Sequence, residues 1–371
     1  MSDTIEEHRF PCEACGSDLR YLPGSPLLHC DHCGNEQEIA GAGEWRGAAI
    51  KELDFRRAVS QSLPEAEIEE TRVLSCPSCG AQVEMSESSH AAECPFCATP
   101  VVTDTGTHRH LKPHGVLPFK MTEEEARREL VRWMGSLWFA PNSLLEYARK
   151  GRRMQGIYVP YWTYDADTKT RYRGQRGTVY HESKTVSAMV NGKRTTRQVN
   201  VQKIRWSPVQ GRVARFFDDV LVLASRSLPK AYTDALEPWD LKDLEPYQPQ
   251  FLAGFSAEGY QISLEDGYDE AREIMNARIA RDVRFDIGGD RQRIDHLETD
   301  VGTLTFKHVL LPVWLAAYKF RGKSYRFVVN GRTGRVKGQR PWSLIKITIA
   351  ATFAFTIAVV IGYLLAQNSA G

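Results

Sequence analysis

The order of hydrophobic and polar positions first predicts a helix near residue 120. Thr122-Glu123-Glu124-Glu125 has the form of a capping box, in which the threonine caps the helix and Glu125 reaches back to it. Apolar residues then recur at helical spacing, at Ala126, Leu130, Trp133 and Leu137. Pro141 ends this run, and Asn142 is placed to cap a second short helix through Tyr147.

From about Ile157 the pattern becomes typical of β-strands. Residues 178–190 and 193–206 flank Asn191-Gly192, which predicts a hairpin with a type I′ turn. Further strands are predicted at 216–224, 309–320 and 325–330, and a further helix is predicted from Ser263. The region 106–340 is therefore expected to be one β-rich, mixed α+β domain.

A weak internal sequence repeat lies in this region. Val159-Pro160-Tyr161-Trp162 is similar to Leu311-Pro312-Val313-Trp314. Proline at a strand entry and a buried tryptophan account for both segments as packing, which we favour over an aromatic pair that binds a ligand. The alternative is a duplicated α+β subdomain.

The last hydrophobic run is of a different kind. From Ile347 to Ala366 twenty residues carry no charged side chain, and such a helix spans ~30 Å, the thickness of the bilayer's hydrocarbon core. We therefore expect residues 341–371 to form a single transmembrane tail anchor. Cations precede the run, none follow it, and the polar, acidic start of the chain lacks the apolar core of a signal peptide. The expected location is the cytoplasmic (inner) membrane, with the N-terminus in the cytoplasm.

Net charge is +2 over 371 residues, with 42% hydrophobic and 25% charged residues, as in ordinary globular proteins. The charges are nevertheless segregated into blocks. Residues 1–148 carry 13 Lys and Arg against 24 Asp and Glu, whereas residues 149–215 carry 16 against 3. Residues 216–302 are acidic again, and residues 303–371 have ten cations and no anion. Near-neutrality thus results from opposed blocks, each able to have its own partner.

The eight cysteines form four CxxC pairs, and the same spacing recurs with an offset of 64 residues. Two closely spaced pairs supply the four thiolates of a tetrahedral zinc ion, so we expect two structural zinc ions rather than redox motifs or disulfides. The predicted ligands are Cys12, Cys15, Cys30 and Cys33 in a first zinc ribbon (residues 1–43) and Cys76, Cys79, Cys94 and Cys97 in a second (residues 75–105). Residues 44–74 are interpreted as a linker with a possible short helix.

The acidic N-terminal block disfavours contact with phosphates, so the ribbons are expected to bind protein. The motifs G-x-S-x-G, H-E-x-x-H and G-x-G-x-x-G are absent, and Gly322-Lys323-Ser324 lacks the earlier glycine of a P-loop. We therefore predict no catalytic residue and no enzymatic activity.

The basic residues before the anchor are expected to contact the anionic leaflet of the membrane. They are Arg332, Arg335, Lys337, Arg340 and Lys346. The block 149–215 has three possible partners: the same lipid surface, a nucleic-acid backbone tracked by cations and interleaved aromatic residues, or the acidic block 216–302 within the fold.

The chain resembles a bacterial family of TFIIB-type zinc-ribbon membrane proteins. The resemblance rests on Cys76-Pro77-Ser78-Cys79, Cys94-Pro95-Phe96-Cys97, Leu311-Pro312-Val313-Trp314 and Asn330-Gly331-Arg332-Thr333-Gly334, followed by the terminal anchor. Members are often labelled primosomal protein N′ (replication factor Y) or superfamily II helicase, although the ATPase motifs of a helicase are absent here. Similar proteins occur beside SPFH (flotillin-like) and PspA-type membrane-stress proteins, which implies a recruiting role.

The expected function is accordingly that of a tail-anchored adaptor or scaffold that recruits proteins to the cytoplasmic face of the membrane, and the resemblance implies membrane stress as its setting. The alternative is a membrane-tethered nucleic-acid-binding protein related to replication machinery.

Overall fold

The computed structural model describes residues 10–42, 50–60, 64, 67–76, 80–84, 91–94, 96, 100–102, 105–139, 141, 154–190, 193–320, 323–339 and 343–369. The strands are β1 Arg20–Tyr21, β2 Leu27–His29, β3 Glu36–Glu38, β4 Leu53–Asp54, β5 Ile68–Ser75, β6 Gln82–Glu84, β7 Ala91–Glu93, β8 Pro100–Val102, β9 Thr105–Leu111, β10 Gly115–Val116, β11 Gln155–Val190, β12 Lys193–Leu223, β13 Glu245–Pro246, β14 Ser256–Ala257, β15 Arg291–Phe320, β16 Lys323–Asn330 and β17 Val336–Gly338. The helices are α1 Phe55–Val59, α2 Glu123–Ser136, α3 Lys230–Thr233, α4 Leu264–Ile287 and α5 Leu344–Ser369, with 3-10 turns at Asp234–Leu236, Leu241–Asp243 and Pro249–Leu252. The mixed α+β class is confirmed.

Three long antiparallel strands dominate the main sheet, in the order β12-β11-β15. Strands β11 and β12 pair from Tyr161↔Leu223 to Val190↔Lys193, so the predicted hairpin is confirmed and is much longer than expected. Strand β15 accompanies β11 only as far as Gly177↔Arg291. Beyond Gly177 the hairpin continues as a two-stranded extension that is ~40 Å long, since each residue of a strand adds ~3.3 Å. The predicted turn at 191–192 lies outside the described residues.

Both predicted long helices are confirmed with their caps. The Thr122 hydroxyl accepts a hydrogen bond from the Glu125 N–H at 3.3 Å, and Glu125 accepts one from the Thr122 N–H at 2.9 Å. Ser263 caps α4 in the same way, through the Asp266 N–H at 3.1 Å. The apolar face of α4 packs on the sheet through Ala271, Met275, Ile279, Val283 and Ile287, all buried. The short helix predicted at 142–147 lies outside the described residues.

The two similar segments meet at a single pair of residues on adjacent strands. Val159 lies opposite Leu311, and Pro160 lies opposite Leu310, on the adjacent antiparallel strands β11 and β15. The Trp162 indole donates to the Ile262 carbonyl at 3.1 Å, and the Trp314 indole donates to the Met121 carbonyl at the same distance. The packing interpretation of both tryptophans is confirmed.

Part of the segment interpreted as a linker belongs to the main domain. Strand β4 pairs with β15 through Leu53↔Phe306, and the Leu53 side chain is buried. The Phe55 ring at the start of α1 lies 4.8 Å from that of Tyr268 on α4. The Asp54 carboxylate caps α1 by accepting from the Arg57 N–H at 2.9 Å. The short helix expected here is present, and this part of the segment packs on both the sheet and α4.

Among the described residues, one helix is long and apolar enough to cross a membrane. Within α5, residues Ile345–Gly362 have a mean hydropathy of 2.1, and none of this window is buried against the rest of the protein. A globular protein rarely leaves so large an apolar surface uncovered. The length and composition expected of an anchor are therefore present at the predicted place.

Candidate metal centre

The first two cysteine pairs occupy matching backbone turns. In the first turn the Cys12 N–H donates to the Ser17 carbonyl at 2.7 Å, and the Gly16 N–H returns to the Cys12 carbonyl at 2.8 Å. In the second turn Cys30, Gly34 and Asn35 repeat both hydrogen bonds at 2.9 Å. Gly16 and Gly34 have φ of 75° and 76°, which only glycine adopts at little cost. Each turn directs its two thiols to the same side.

These turns bring four thiols together. The Sγ atoms of Cys12, Cys15, Cys30 and Cys33 all lie within 4.8 Å of one another. Cys12 Sγ is 3.5 Å from Cys33 Sγ, and Cys15 Sγ is 3.6 Å from Cys30 Sγ. A disulfide requires ~2 Å between sulfurs, whereas four sulfurs around zinc at ~2.3 Å lie ~3.8 Å apart. The cluster could hold a metal ion, and it fits a tetrahedral one.

The pKa values of the thiols also favour a bound cation. Hydrogen bonds from the Ser17 hydroxyl and backbone N–H lower the pKa of Cys15 to about 6. A hydrogen bond from the Asn35 backbone lowers the pKa of Cys33, but the neighbouring thiols, led by Cys15, and burial together outweigh it and raise this pKa to about 12. Four thiolates crowded in one place need a cation among them, and a bound metal supplies that charge.

The ribbon that carries this cluster is docked on the main domain. The Tyr21 N–H donates to the Ala253 carbonyl at 2.9 Å, and the Tyr21 hydroxyl donates to the Phe119 carbonyl at 3.3 Å. The Tyr21 ring lies 5.4 Å from the Phe251 ring, in an edge-to-face arrangement. Two of the cysteines, Cys12 and Cys30, are buried in the same hydrophobic cluster as Phe119. The four-thiol cluster is therefore packed against the main domain.

For the second predicted set, the structure describes Cys76 and Cys94 but not Cys79 or Cys97. The Cys76 N–H donates to the Ala81 carbonyl and the Gly80 N–H to the Cys76 carbonyl, both at 2.8 Å, as in the first two turns. Cys76 and Cys94 are both buried in one hydrophobic cluster. Among the residues that the structure describes, a four-thiol cluster is found only for the first set, and the second site stays a prediction.

The predicted membrane-proximal cations lie in different surroundings. Arg332 contacts the Asp243 carboxylate and donates to the Pro118 carbonyl at 3.2 Å, with its side chain only 13% exposed. Arg335 donates to the Glu237 carbonyl, and Lys337 is exposed on β17. Lys346 is half-buried in the first turns of α5, and Arg340 lies outside the described residues. Arg332 thus stabilises a turn of the fold, while Lys337 is exposed.

The basic block 149–215 makes some contacts with the acidic block that follows it. Arg171 lies 3.3 Å from Glu298, and Arg215 forms a two-pronged ion pair with Asp282 at 2.5 and 2.7 Å. Pairing within the fold, one of the three partners considered, therefore holds for these two arginines.

Sequence reasoning missed two buried polar clusters. Lys307 on β15 is surrounded by the carboxylates of Glu52, Asp165 and Asp219. Glu258, fully enclosed, accepts hydrogen bonds from the hydroxyls of Ser225, at 2.8 Å, and Ser227. A local bulge at Tyr164/Ala166 and the positive φ of Asp219 accompany the first cluster, and neither is visible in the sequence.

The Asn330-Gly331-Arg332-Thr333-Gly334 segment has a structural role. The Asn330 side chain, fully buried, accepts from the N–H groups of Arg332 and Thr333 at 2.8 and 3.0 Å and donates to the Leu236 carbonyl at 2.9 Å. Gly331 lies against Phe119, where a Cβ would approach the ring to 2.6 Å. The segment is a tight turn that joins β16 to β17 beside the docked ribbon.

Comparison with known proteins finds a bacterial relative. No protein-family model matches the chain, and no solved structure matches it. The chain is 26% identical over 243 residues to a protein of Bacillus subtilis (strain 168) that is described as "Uncharacterized protein YdjG". The match covers 64% of this chain and 66% of that protein, slightly less than two thirds of its length. The resemblance to TFIIB-type ribbon proteins therefore stays a prediction.

Proposed function

We propose that this protein is a non-enzymatic, zinc-containing adaptor that is anchored in the cytoplasmic membrane and recruits other proteins to its cytoplasmic face. The observation that carries the proposal is the combination of a docked four-thiol cluster and an uncovered apolar helix in one chain. Such a chain holds a rigid, metal-supported surface at a fixed place near a bilayer.

Zinc is the metal that suits the site. Four thiolates in tetrahedral arrangement favour zinc, and they leave no coordination position for water or a substrate. The zinc is therefore structural. Its role is to stabilise a ribbon whose strands β1, β2 and β3 contain two or three residues each and form little core of their own. We assign a second zinc to Cys76, Cys79, Cys94 and Cys97, supported by the repeated turn at Cys76.

The orientation follows from the charges on both sides of the apolar helix. The cations Arg332, Arg335, Lys337, Arg340 and Lys346 precede it, and residues 367–371 carry no charge. Positive flanks remain in the cytoplasm, so the zinc ribbons and the sheet domain lie there. A reducing cytoplasm also keeps the thiols available for metal. The accessible members of this set are assigned to the anionic leaflet, where each nearby cation contributes ~1 kcal/mol to binding.

The recruited partner is a protein rather than a nucleic acid at the ribbons, because the N-terminal block is acidic. The resemblance named above suggests SPFH (flotillin-like) or PspA-type proteins and a function in membrane stress.

A second candidate function is supported by the basic two-stranded extension of β11 and β12. A two-stranded ribbon fits the major groove of DNA, and cations such as Lys184 and Arg197 are exposed on it. In this alternative the protein tethers nucleic acid to the membrane in connection with replication.

Crosslinking followed by affinity purification of the full-length protein from membranes tests both functions. A protein recovered with wild type, but lost from the Cys15→Ser/Cys33→Ser variant and retained by the exposed control Glu273→Ser, supports the adaptor. Membrane location and expression of each variant are checked in parallel. Recovery of nucleic acid that is released by salt, with no protein enriched, overturns the adaptor in favour of the alternative.

A further inference from the structure

The register of the three long strands places arginines side by side on the sheet face that α4 does not cover. In one row Arg171 of β11 lies between Arg212 of β12 and Glu298 of β15. In the next row on the same face, Arg173 lies between Gln210 and His296. These six side chains surround a cleft of about 480 Å³ that opens to solvent.

The floor of the cleft is backbone. Tyr172 lies between the two arginines of β11, but its ring projects to the opposite face, where it is buried near α4 and its hydroxyl donates to Asp286 at 2.6 Å. Gly211, directly opposite Tyr172, faces the same side as that ring, and a Cβ there would approach the Tyr172 hydroxyl to 2.6 Å, so neither residue places a side chain in the cleft. The charged side chains therefore form walls around an open floor.

The charges of this cleft are not balanced within the described part of the chain. Arg171 pairs with Glu298 at 3.3 Å and approaches Asp300 at 4.0 Å. Arg173 and Arg212 form no ion pair with any residue in the described ranges. Like charges directly opposite on neighbouring strands destabilise a sheet, and Arg171 and Arg212 are such a pair. An anion between them removes this repulsion.

The side chains define the class of anion. Two arginines directly opposite each other on neighbouring strands have Cβ atoms ~5 Å apart. Both guanidinium groups can therefore direct paired N–H groups at one phosphate. Gln210 and His296 add further polar groups in the second row. The volume of about 480 Å³ suits a small molecule rather than a bare ion, and the Glu298 carboxylate at the edge can accept from a hydroxyl.

We propose that this arginine cleft binds a phosphate group carried by a small hydroxylated molecule. The phosphate can come from a lipid headgroup or from a soluble metabolite, and both present the same chemistry to the arginines. This site is independent of the zinc cluster and of the adaptor function.

The experiment uses the full-length protein in nanodiscs of phosphatidylcholine. It is titrated with inorganic phosphate, with glycerol 3-phosphate, and with phosphatidylcholine vesicles that contain or lack phosphatidic acid. The test variant is Arg173→Gln/Arg212→Gln. The control, Arg197→Gln/Arg205→Gln, removes the same charge from the exposed hairpin outside the cleft. Thermal unfolding verifies that both variants are folded.

Saturable binding of glycerol 3-phosphate or of phosphatidic acid vesicles is expected. The test variant should lose about tenfold or more in affinity, because the loss of a hydrogen bond to a charged group weakens binding strongly. The control should lose less than about twofold. The tighter of the two probes identifies the source as soluble or lipid. Equal losses in both variants, or absence of saturable binding of both probes, overturns the proposal.

Discussion

The ammonium nitrogen of Lys307 lies 3.3 Å from Oδ2 of Asp165, and both side chains are buried within the main sheet. The same nitrogen lies 2.8 Å from Asp219 Oδ1 and 3.2 Å from Glu52 Oε1. The Asp219 N–H donates to Asp165 Oδ1 at 2.7 Å. Burial raises the pKa of Asp165 to about 6, although this hydrogen bond and Lys307 lower it. One cation thus joins strands β11, β12, β15 and the segment before β4.

Removing that cation should destabilise the domain. In Lys307→Met the carboxylates of Asp165 and Asp219 stay in the sheet without their counter-charge, and breaking a buried pair in this way costs about 3–5 kcal/mol. Chemical denaturation of the full-length protein in nanodiscs measures the loss. The exposed neighbour Lys169→Met is the control and should change stability by less than about 1 kcal/mol. Similar effects of the two substitutions would contradict the role given to this cluster.

Glu258 should make stability depend on pH. Burial raises the pKa of its carboxyl to about 8, although hydrogen bonds from Ser227 and Ser225 lower it. An unfolded glutamate has a pKa of ~4.3, so between these values the folded state binds more protons than the unfolded state. This contribution to stability is complete at low pH and is lost as pH rises from about 4 to about 8.

The measurement is the unfolding temperature of the full-length protein between pH 5 and pH 9, for wild type, Glu258→Gln and the exposed control Glu273→Gln. Wild type and the control should lose stability toward pH 9, and Glu258→Gln should lose less because it cannot ionise. A wild-type profile that rises over this range, or three parallel profiles, would show that Glu258 does not titrate as described.

Metal content should distinguish the two cysteine sets. Elemental analysis of wild type should give close to two zinc per chain, and Cys30→Ser and Cys76→Ser should each retain one, because a site with three thiolates binds zinc far more weakly. The double variant should contain none, and strong chelators should lower the unfolding temperature of wild type. One zinc in wild type that Cys76→Ser leaves unchanged would show that the second repeat is not a metal site.

Tyr21 should be the main contact that docks the first ribbon. Tyr21→Ala removes a buried ring from Phe251 and Phe119 and should destabilise the protein by about 3–5 kcal/mol, as such truncations in a core do. Tyr21→Phe loses only the hydrogen bond to Phe119 and should cost about 1 kcal/mol. Denaturation measures both, with Tyr180→Ala on the exposed hairpin as a control. A near-neutral Tyr21→Ala would mean that the ribbon is not held by this contact.

Local sequence signals predicted the local elements well. The capping box at Thr122, the cap at Ser263 and the hairpin around Asn191-Gly192 depend on residues close together in sequence. The first four-thiol cluster was also predictable, because each of its turns is set by a CxxC pair and the glycine that follows it.

Long-range relationships were not predictable in the same way. Lys307 and Asp165 are 142 positions apart, and their contact depends on the register between β11 and β15, in which Thr163 lies opposite Lys307 and Asp165 lies opposite Thr305. A shift of one residue in that register turns every side chain to the other face. The arginine cleft has the same origin, since only the register reveals that Arg171 and Arg212 are neighbours. In the sequence, Arg171 and Arg212 are simply two members of the basic block 149–215.

The apolar helix α5 should place its C-terminal end outside the cytoplasm and the rest of the chain inside. A reporter that is active only outside the cytoplasm, fused after Gly371, should be active, and the same reporter fused before Met1 should be inactive. The cause is the set of cations before the helix, of which Lys337 and Lys346 can be changed without touching the turn held by Arg332. Replacing both with glutamine while inserting four lysines after Gln367 should reduce the signal from the C-terminal fusion, because the positive flank then favours the other side. A C-terminal fusion that is inactive in the wild-type background would place both ends in the cytoplasm and remove the basis for a membrane-spanning anchor.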